Sequence, residues 1–246
     1  MKKINGQYTL CRAFTTGREY FQMLEELAPI IDDLLGNIKV DAPRPEMTDE
    51  QRRDILRDTY RATVAVTPDD LVHRYLASRH IDELIYPPAL RFAEALRDGE
   101  GGIRPAMVAM VGVHGQEKFV SMHRTFLKPD GSGKAEMESE RKMMPGTLPD
   151  GACVMLSEYT GGPLGVAEGI ETALTAMQLD PNGRPAWAAL SAGNLRVVEL
   201  PPSVRSVVII PDGDENQTGQ DAAAKAARRW IAEGREVRIA DIPVRP

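Results

Sequence analysis

Three carboxylates stand where they could do chemistry together: Glu168 in VAEGIET, and Asp212 and Asp214 in IIPDGDEN. Each group follows a short apolar run, Leu164 to Ala167 or Val204 to Ile210, of the kind that forms a buried parallel strand. Open α/β sheets present their ligand-binding residues at the carboxyl ends of such strands. Asp212 and Asp214 flank a glycine, so both side chains can turn toward one point. Carboxylates repel at short range, and a cation lets several share one place. An all-oxygen ligand set on a short turn suits Mg²⁺ or Mn²⁺ rather than zinc. Such an ion holds phosphate oxygens and stabilises the charge that develops in phosphoryl transfer. Taken alone, Asp-Gly-Asp is an ordinary turn sequence. What sets these acids apart is their order: strand, Glu-Gly, helix, then strand, Asp-Gly-Asp, loop, Gly, helix.

The elements needed to position them follow from the pattern after Pro163. Leu164 to Ala167 reads as a strand, Glu168 to Leu179 as a helix, and Ala186 to Leu190 as a second strand. Ser191 to Asn194 starts a helical turn, and Val204 to Ile210 is a third strand. Gly219 to Glu233 is an Ala-rich helix, and Glu236 to Ala240 a fourth strand. Strands alternating with helices predict an α/β fold, with a parallel sheet covered by helices on both faces.

Upstream the texture differs. Met107 to Val113 and Lys118 to Leu127 predict a β-hairpin, KPDGSG (Lys128 to Gly133) a turn, and residues 134 to 162 an irregular stretch. The first hundred residues read as helical. One apolar stripe runs from Tyr20 to Leu35, and Asp41 to Met47 reads as a linker. Thr48 is expected to cap a helix running to about Val64, with Gln51 as its capping-box partner. A further helix is expected to start at Thr67 to Asp70, with Pro68 at its first position. The expected organisation is a mostly helical region over 1–100, a hairpin and basic segment over 101–162, and the α/β domain over 163–246.

Composition limits the reading. The 246 residues are 42% hydrophobic, 27% charged and only 5% aromatic, so the core must be aliphatic. The net charge of -6 excludes a chain that binds polyanions with its whole surface. Two cysteines, Cys11 and Cys153, cannot build a four-ligand zinc site and are expected to be reduced thiols. No Walker A lysine motif is present, which excludes that phosphate loop. No run approaches the apolar length of a membrane span, so a cytoplasmic protein without a membrane partner is expected. Between Lys118 and Lys142, six basic residues face four acidic ones, a local excess of positive charge suited to phosphates.

The stretch from about 163 to 241 resembles the Toprim domain shared by primases, topoisomerases and some nucleases. DGDENQTGQDAAAKAARRW, VAEGIETALTAM and WAALSAGNL resemble most closely the primase-like branch of phages, plasmids and integrative elements. MHRTFLKPDGSGKAEMESERKMM is similar to the segment that precedes Toprim in that group. The resemblance implies that Glu168 acts as general acid/base and joins Asp212 and Asp214 at a Mg²⁺ (or Mn²⁺) site. It also marks Arg124 and Lys142 as nucleic-acid or nucleotide contacts, and the local excess of positive charge adds Lys128, Lys134 and Arg141 as candidates. Where primases carry a further acid four positions after the glutamate, this chain has Thr172, with Glu171 as the neighbouring acid. Asp241 is the remaining acidic candidate. The activity implied is primer synthesis on single-stranded DNA in mobile-element replication. The partners implied are nucleic acid, nucleotides and a helicase or other replication chain. A small Toprim nuclease and a non-catalytic nucleic-acid-binding or partner-regulating module are the alternatives.

Overall fold

The computed structural model describes residues 47–82, 85–116, 118–212 and 218–240, together with the backbone of two strands at 2–4 and 7–9. It divides into two compact units, Met1–Met47 and Thr48–Pro246. In the first, β1 (Lys2–Ile4) pairs antiparallel with β2 (Gln7–Thr9), with Lys2 opposite Thr9. The helix expected over 20–35, the linker at 41–46 and Cys11 lie outside the described residues.

The second unit opens with α1 (Asp49–Arg61), capped as its sequence predicts. The Thr48 hydroxyl accepts from the Gln51 N–H at 3.2 Å, and the Gln51 side chain accepts from the Thr48 N–H at 2.9 Å. The next helix, α2 (Leu71–Ala77), starts later than expected. Asp70 is its cap, accepting from the N–H groups of Val72 and His73, so Pro68 lies in the preceding turn.

Five strands then form an antiparallel sheet in the order β3-β4-β5-β6-β7: β3 (Val64–Ala65), β4 (Leu90–Arg97), β5 (Ile103–Val111), β6 (Ser121–Phe126) and β7 (Arg141–Met143). The expected hairpin is β5–β6, with Val108 opposite Arg124. The helical expectation for residues 1–100 needs correction at β3 and β4. LRFAEALR is rich in helix formers, but it pairs along β5 and absorbs the misfit in a register shift between Ala93 and Leu96. Cross-strand pairing with a buried neighbour overrides local propensity there.

The predicted α/β domain is present. Its sheet runs β12-β11-β9-β10-β8 through β8 (Val154–Met155), β9 (Pro163–Ala167), β10 (Ala186–Ala188), β11 (Ser206–Ile210) and β12 (Glu236–Ile239). β9 to β12 are parallel, while β8, from the stretch expected to be irregular, joins the edge antiparallel. One face carries α3 (Ile170–Leu179), and the other α4 (Ala192–Leu195) and α5 (Thr218–Ala232).

Period-two alternation along the strands divides the cores. Leu164, Val166, Val207 and Ile209 point to the α5 side, where Ala222, Ala223 and Ala226 let the helix lie close and Trp230 fills the end. Ala167, Ala186 and Ala188 point the other way. They share one core with Ile170 and Leu174 of α3, Val72 and Leu76 of α2, and Met107 and Ala109 of β5. The antiparallel sheet and the parallel sheet are therefore joined by continuous apolar packing. A third core, with Ala106, Val108, Met122 and Phe126, lies on the far face of the antiparallel sheet.

Candidate functional site

The site is built on the register of β9 and β11. Ala167 is paired with Ile210, so Glu168 and Pro211-Asp212 leave the sheet side by side at its carboxyl edge. The backbone of Glu168 is held by Leu190, whose N–H donates to the Glu168 carbonyl at 2.7 Å. Leu190 does this at φ 75°, a left-handed conformation that side-chain-bearing residues seldom adopt. Nothing in the local sequence announces that role.

Gly219, in the first turn of α5, closes the other side. A Cβ built there would stand 3.2 Å from Glu168 Oε2, and 3.7 and 3.6 Å from the backbone N and O of Asp212. The glycine thus lets the Glu168 carboxylate and the Asp212 backbone gather at one helix start, where the helix dipole favours negative charge. The Asp212 carboxylate turns instead to the start of α3. It accepts from the Thr172 hydroxyl at 2.6 Å and lies by Gly169, the N-cap, which supplies no side-chain cap of its own.

Glu168 and Asp212 offer hard oxygen donors at neighbouring strand ends, a donor set that fits Mg²⁺ or Mn²⁺. Asp214 and Asp241 lie outside the described residues. Among the described residues, no three His, Cys, Asp or Glu side chains gather into a metal-holding group.

Asp212 and Thr172 border a cavity of about 690 Å³ over the α3 side of the sheet. Lys134, Arg141 and Glu171 line the same cavity. Lys134 arrives there through the predicted turn. Lys128 N–H donates to the Gly133 carbonyl, and Gly131 sits at φ 73° with its Cα packed on α2. A Cβ on Gly131 would lie 2.9 Å from the Arg74 Cβ. Glu171 is largely buried and accepts from the Tyr75 hydroxyl at 2.5 Å, with Lys134 Nζ 4.0 Å away. Burial pushes the Glu171 carboxyl up. The Tyr75 hydroxyl, its own backbone N–H and the Lys134 and Arg141 charges outweigh burial and hold it below the usual carboxylate range. Burial, followed by the Glu171 charge, drives the Tyr75 hydroxyl well above its usual range. Arg79 and Arg184 also line this cavity; sequence reasoning missed them because only the folded topology brings them here.

The other basic candidates point elsewhere. Arg124 and Lys142 are paired across β6 and β7. Arg124 donates to the Met143 carbonyl at 3.0 Å and sits over the Phe126 ring, and burial lowers its pKa. Lys142 donates to the Asp98 carbonyl at 2.9 Å and pairs with Glu100 at 2.8 Å. Lys128 pairs with Glu136 at 2.8 Å in an exposed position. His123 faces the Glu171 side of β6, almost wholly buried, and its Nδ1 is without a hydrogen-bond partner among the described residues. Cys153 is buried, and burial pushes its thiol up to about 12, as an inert structural cysteine requires.

Residues 163–244 match the family model described as a Toprim domain. The C-terminal part of this chain is a Toprim domain. Upstream of it, residues 50–155 match a domain of unknown function, DUF7146. No curated protein shows significant sequence similarity to the chain. Among solved structures it is similar to the primase fragment of the bacteriophage T7 primase-helicase protein, at 20% identity and a TM-score of 0.46. That match covers 63% of this chain and 58% of the phage chain, less than two thirds of its length. It is also similar to the DnaG catalytic core, at 16% identity and a TM-score of 0.42 over 91% of this chain and 72% of that one. A DNA primase domain from Pseudomonas aeruginosa matches at 16% identity and a TM-score of 0.40, over 61% of this chain and 49% of that one. No described helix is long and apolar enough to cross a membrane.

Proposed function

We propose that the chain carries out Mg²⁺- or Mn²⁺-dependent nucleotidyl transfer on nucleic acid, as primase-like primer synthesis on single-stranded DNA. The observation that carries this reading is one cavity lined by Asp212, Lys134 and Arg141 together, beside the strand end that bears Glu168. About 690 Å³ is room for a nucleotide. A divalent cation held by Asp212, Asp214 and Glu168 would neutralise charge on the triphosphate oxygens.

The remaining work falls to the chain's own groups. Lys134 and Arg141 hold phosphates in line. Glu168 takes the proton from the attacking 3′-hydroxyl as its oxygen bonds to the α-phosphorus. The α–β phosphoanhydride bond breaks in that step, and pyrophosphate leaves. Arg124, Lys128 and Lys142 remain proposed contacts for a longer nucleic-acid strand, and Glu171 and Asp241 remain secondary acidic candidates. A helicase or other replication chain, in mobile-element DNA replication, is the proposed partner. Its motivation is the primase-branch resemblance of the Toprim motifs.

The test is incubation with single-stranded DNA, labelled NTPs and Mg²⁺. The expected products are short oligomers, lost by roughly 10²–10³-fold or more in Asp212→Asn and Glu168→Gln. Shortened DNA in place of oligomers would turn the reading to a nuclease. Neither product, with Asp212→Asn binding DNA as wild type does, would leave a non-catalytic module.

A further inference from the structure

The hydroxyl of Thr172 has an unusual partner. A threonine inside a helix ordinarily bonds back to the carbonyl four residues earlier. Thr175, on the same helix, does so, donating to the Glu171 carbonyl at 2.9 Å. Four residues before Thr172 stands Glu168, whose carbonyl accepts from Leu190 N–H at 2.7 Å. Thr172 donates instead across the site, to Asp212 Oδ1 at 2.6 Å, a contact spanning forty residues of sequence. The acceptor stands by Gly169, the N-cap of α3 that has no capping side chain. Asp212 thus stands near the start of α3, where the helix dipole favours its negative charge.

We propose that Thr172 is a positioning residue for the cation site: its hydroxyl fixes the Asp212 carboxylate in one rotamer and leaves the remaining lone pairs free for a divalent cation. This rests on the reading of Asp212 as a cation ligand given above. The physical argument is one of preorganisation. An ionised carboxylate has about four lone-pair sites, and one bond from a short, charge-assisted donor stops its rotation without filling them. The entropy of ordering Asp212 is then lost on folding rather than on cation binding. Hydrogen bonds that orient ligating groups in this way are worth roughly 10- to 100-fold in metal affinity. The same bond ties the cation site to α3. That helix is tied to the α2 region at both ends, by Tyr75 to Glu171 and by Gln178 Nε2 to the His80 carbonyl at 2.8 Å.

The test is Mn²⁺ binding to the full chain, read from the electron paramagnetic resonance of free Mn²⁺ and so independent of activity. Thr172→Val keeps the shape and removes the hydroxyl; Thr172→Ser keeps the hydroxyl. Thr172→Val is expected to weaken Mn²⁺ by about tenfold or more, with Thr172→Ser within about twofold of wild type. In the nucleotidyl-transfer assay, the Thr172→Val rate is expected to recover as Mn²⁺ is raised. If Thr172→Val does not fold, Thr172→Ala serves in its place. Wild-type Mn²⁺ affinity in Thr172→Val, or an equal loss in Thr172→Ser, overturns the proposal. Unchanged Mn²⁺ affinity in Asp212→Asn is the separate result that overturns the cation-ligand reading itself.

Discussion

At the scale of residues, the site depends on groups that differ in how their environment treats charge. Glu171 is kept ionised although buried, because a tyrosine hydroxyl and two cations face it. His123, one strand away, is kept neutral: burial lowers its pKa from 6.5 to about 4. In that window the unfolded chain takes up a proton that the folded chain refuses, so stability falls as pH falls from 6.5 toward 4. Between pH 7.5 and 5 the loss is about 2 kcal/mol. Urea unfolding at pH 7.5 and pH 5 measures it, and His123→Leu is expected to remove most of the difference. An equal loss in that variant would place the sensitivity elsewhere. Glu168 and Asp212 were legible because their residue types and strand-end positions are written in consecutive residues. Leu190 and Thr172 were not legible in these roles, because a left-handed backbone and a bond across forty residues leave no local pattern.

At the scale of elements, β6 and β7 sort the basic residues by face. Lys134 and Arg141 reach the cavity, while Lys142 is occupied at the β4–β5 turn by Asp98 and Glu100. Sequence showed a basic block but not which of its residues share a direction, since that depends on strand register and on a turn closed by Gly131. The division makes a prediction. Removing both cavity cations (Lys134→Ala with Arg141→Ala) is expected to lower the salt dependence of single-stranded DNA binding, with a log–log slope smaller by about 1.4. Lys142→Ala, which removes an ammonium already bonded to Glu100 and the Asp98 carbonyl, is expected to lower that slope by no more than about 0.7 and to lower thermal stability as well. A salt titration by fluorescence anisotropy, beside a melting curve, separates the two. β4 teaches a related lesson. LRFAEALR carries helix-forming residues, and only the presence of β5 as a pairing partner makes it a strand.

At the scale of the whole molecule, the two sheets of the Thr48–Pro246 unit are not independent, because one apolar core runs between them. Val72 and Leu76, Met107 and Ala109, and Ile170 and Leu174 all belong to it. The unit is therefore expected to unfold in one cooperative step. Far-ultraviolet circular dichroism reports both sheets, and tryptophan fluorescence reports Trp187 and Trp230 of the Toprim core. The two curves should coincide in denaturant. Leu174→Ala, in the shared core, should shift both together by roughly 2–5 kcal/mol of stability. Separate transitions would show two weakly coupled parts. The sequence by itself determined the α/β class of the C-terminal part, its strand and helix order, and the acids at its strand ends, because periodicity and strand-end position are local properties of the chain. The tertiary structure decided the antiparallel sheet that includes β3 and β4, and the edge strand β8. It also decided which cations face the acids and the hydroxyl that fixes Asp212. Each of these depends on pairing or packing between segments far apart in sequence, where the partner rather than the segment selects the outcome.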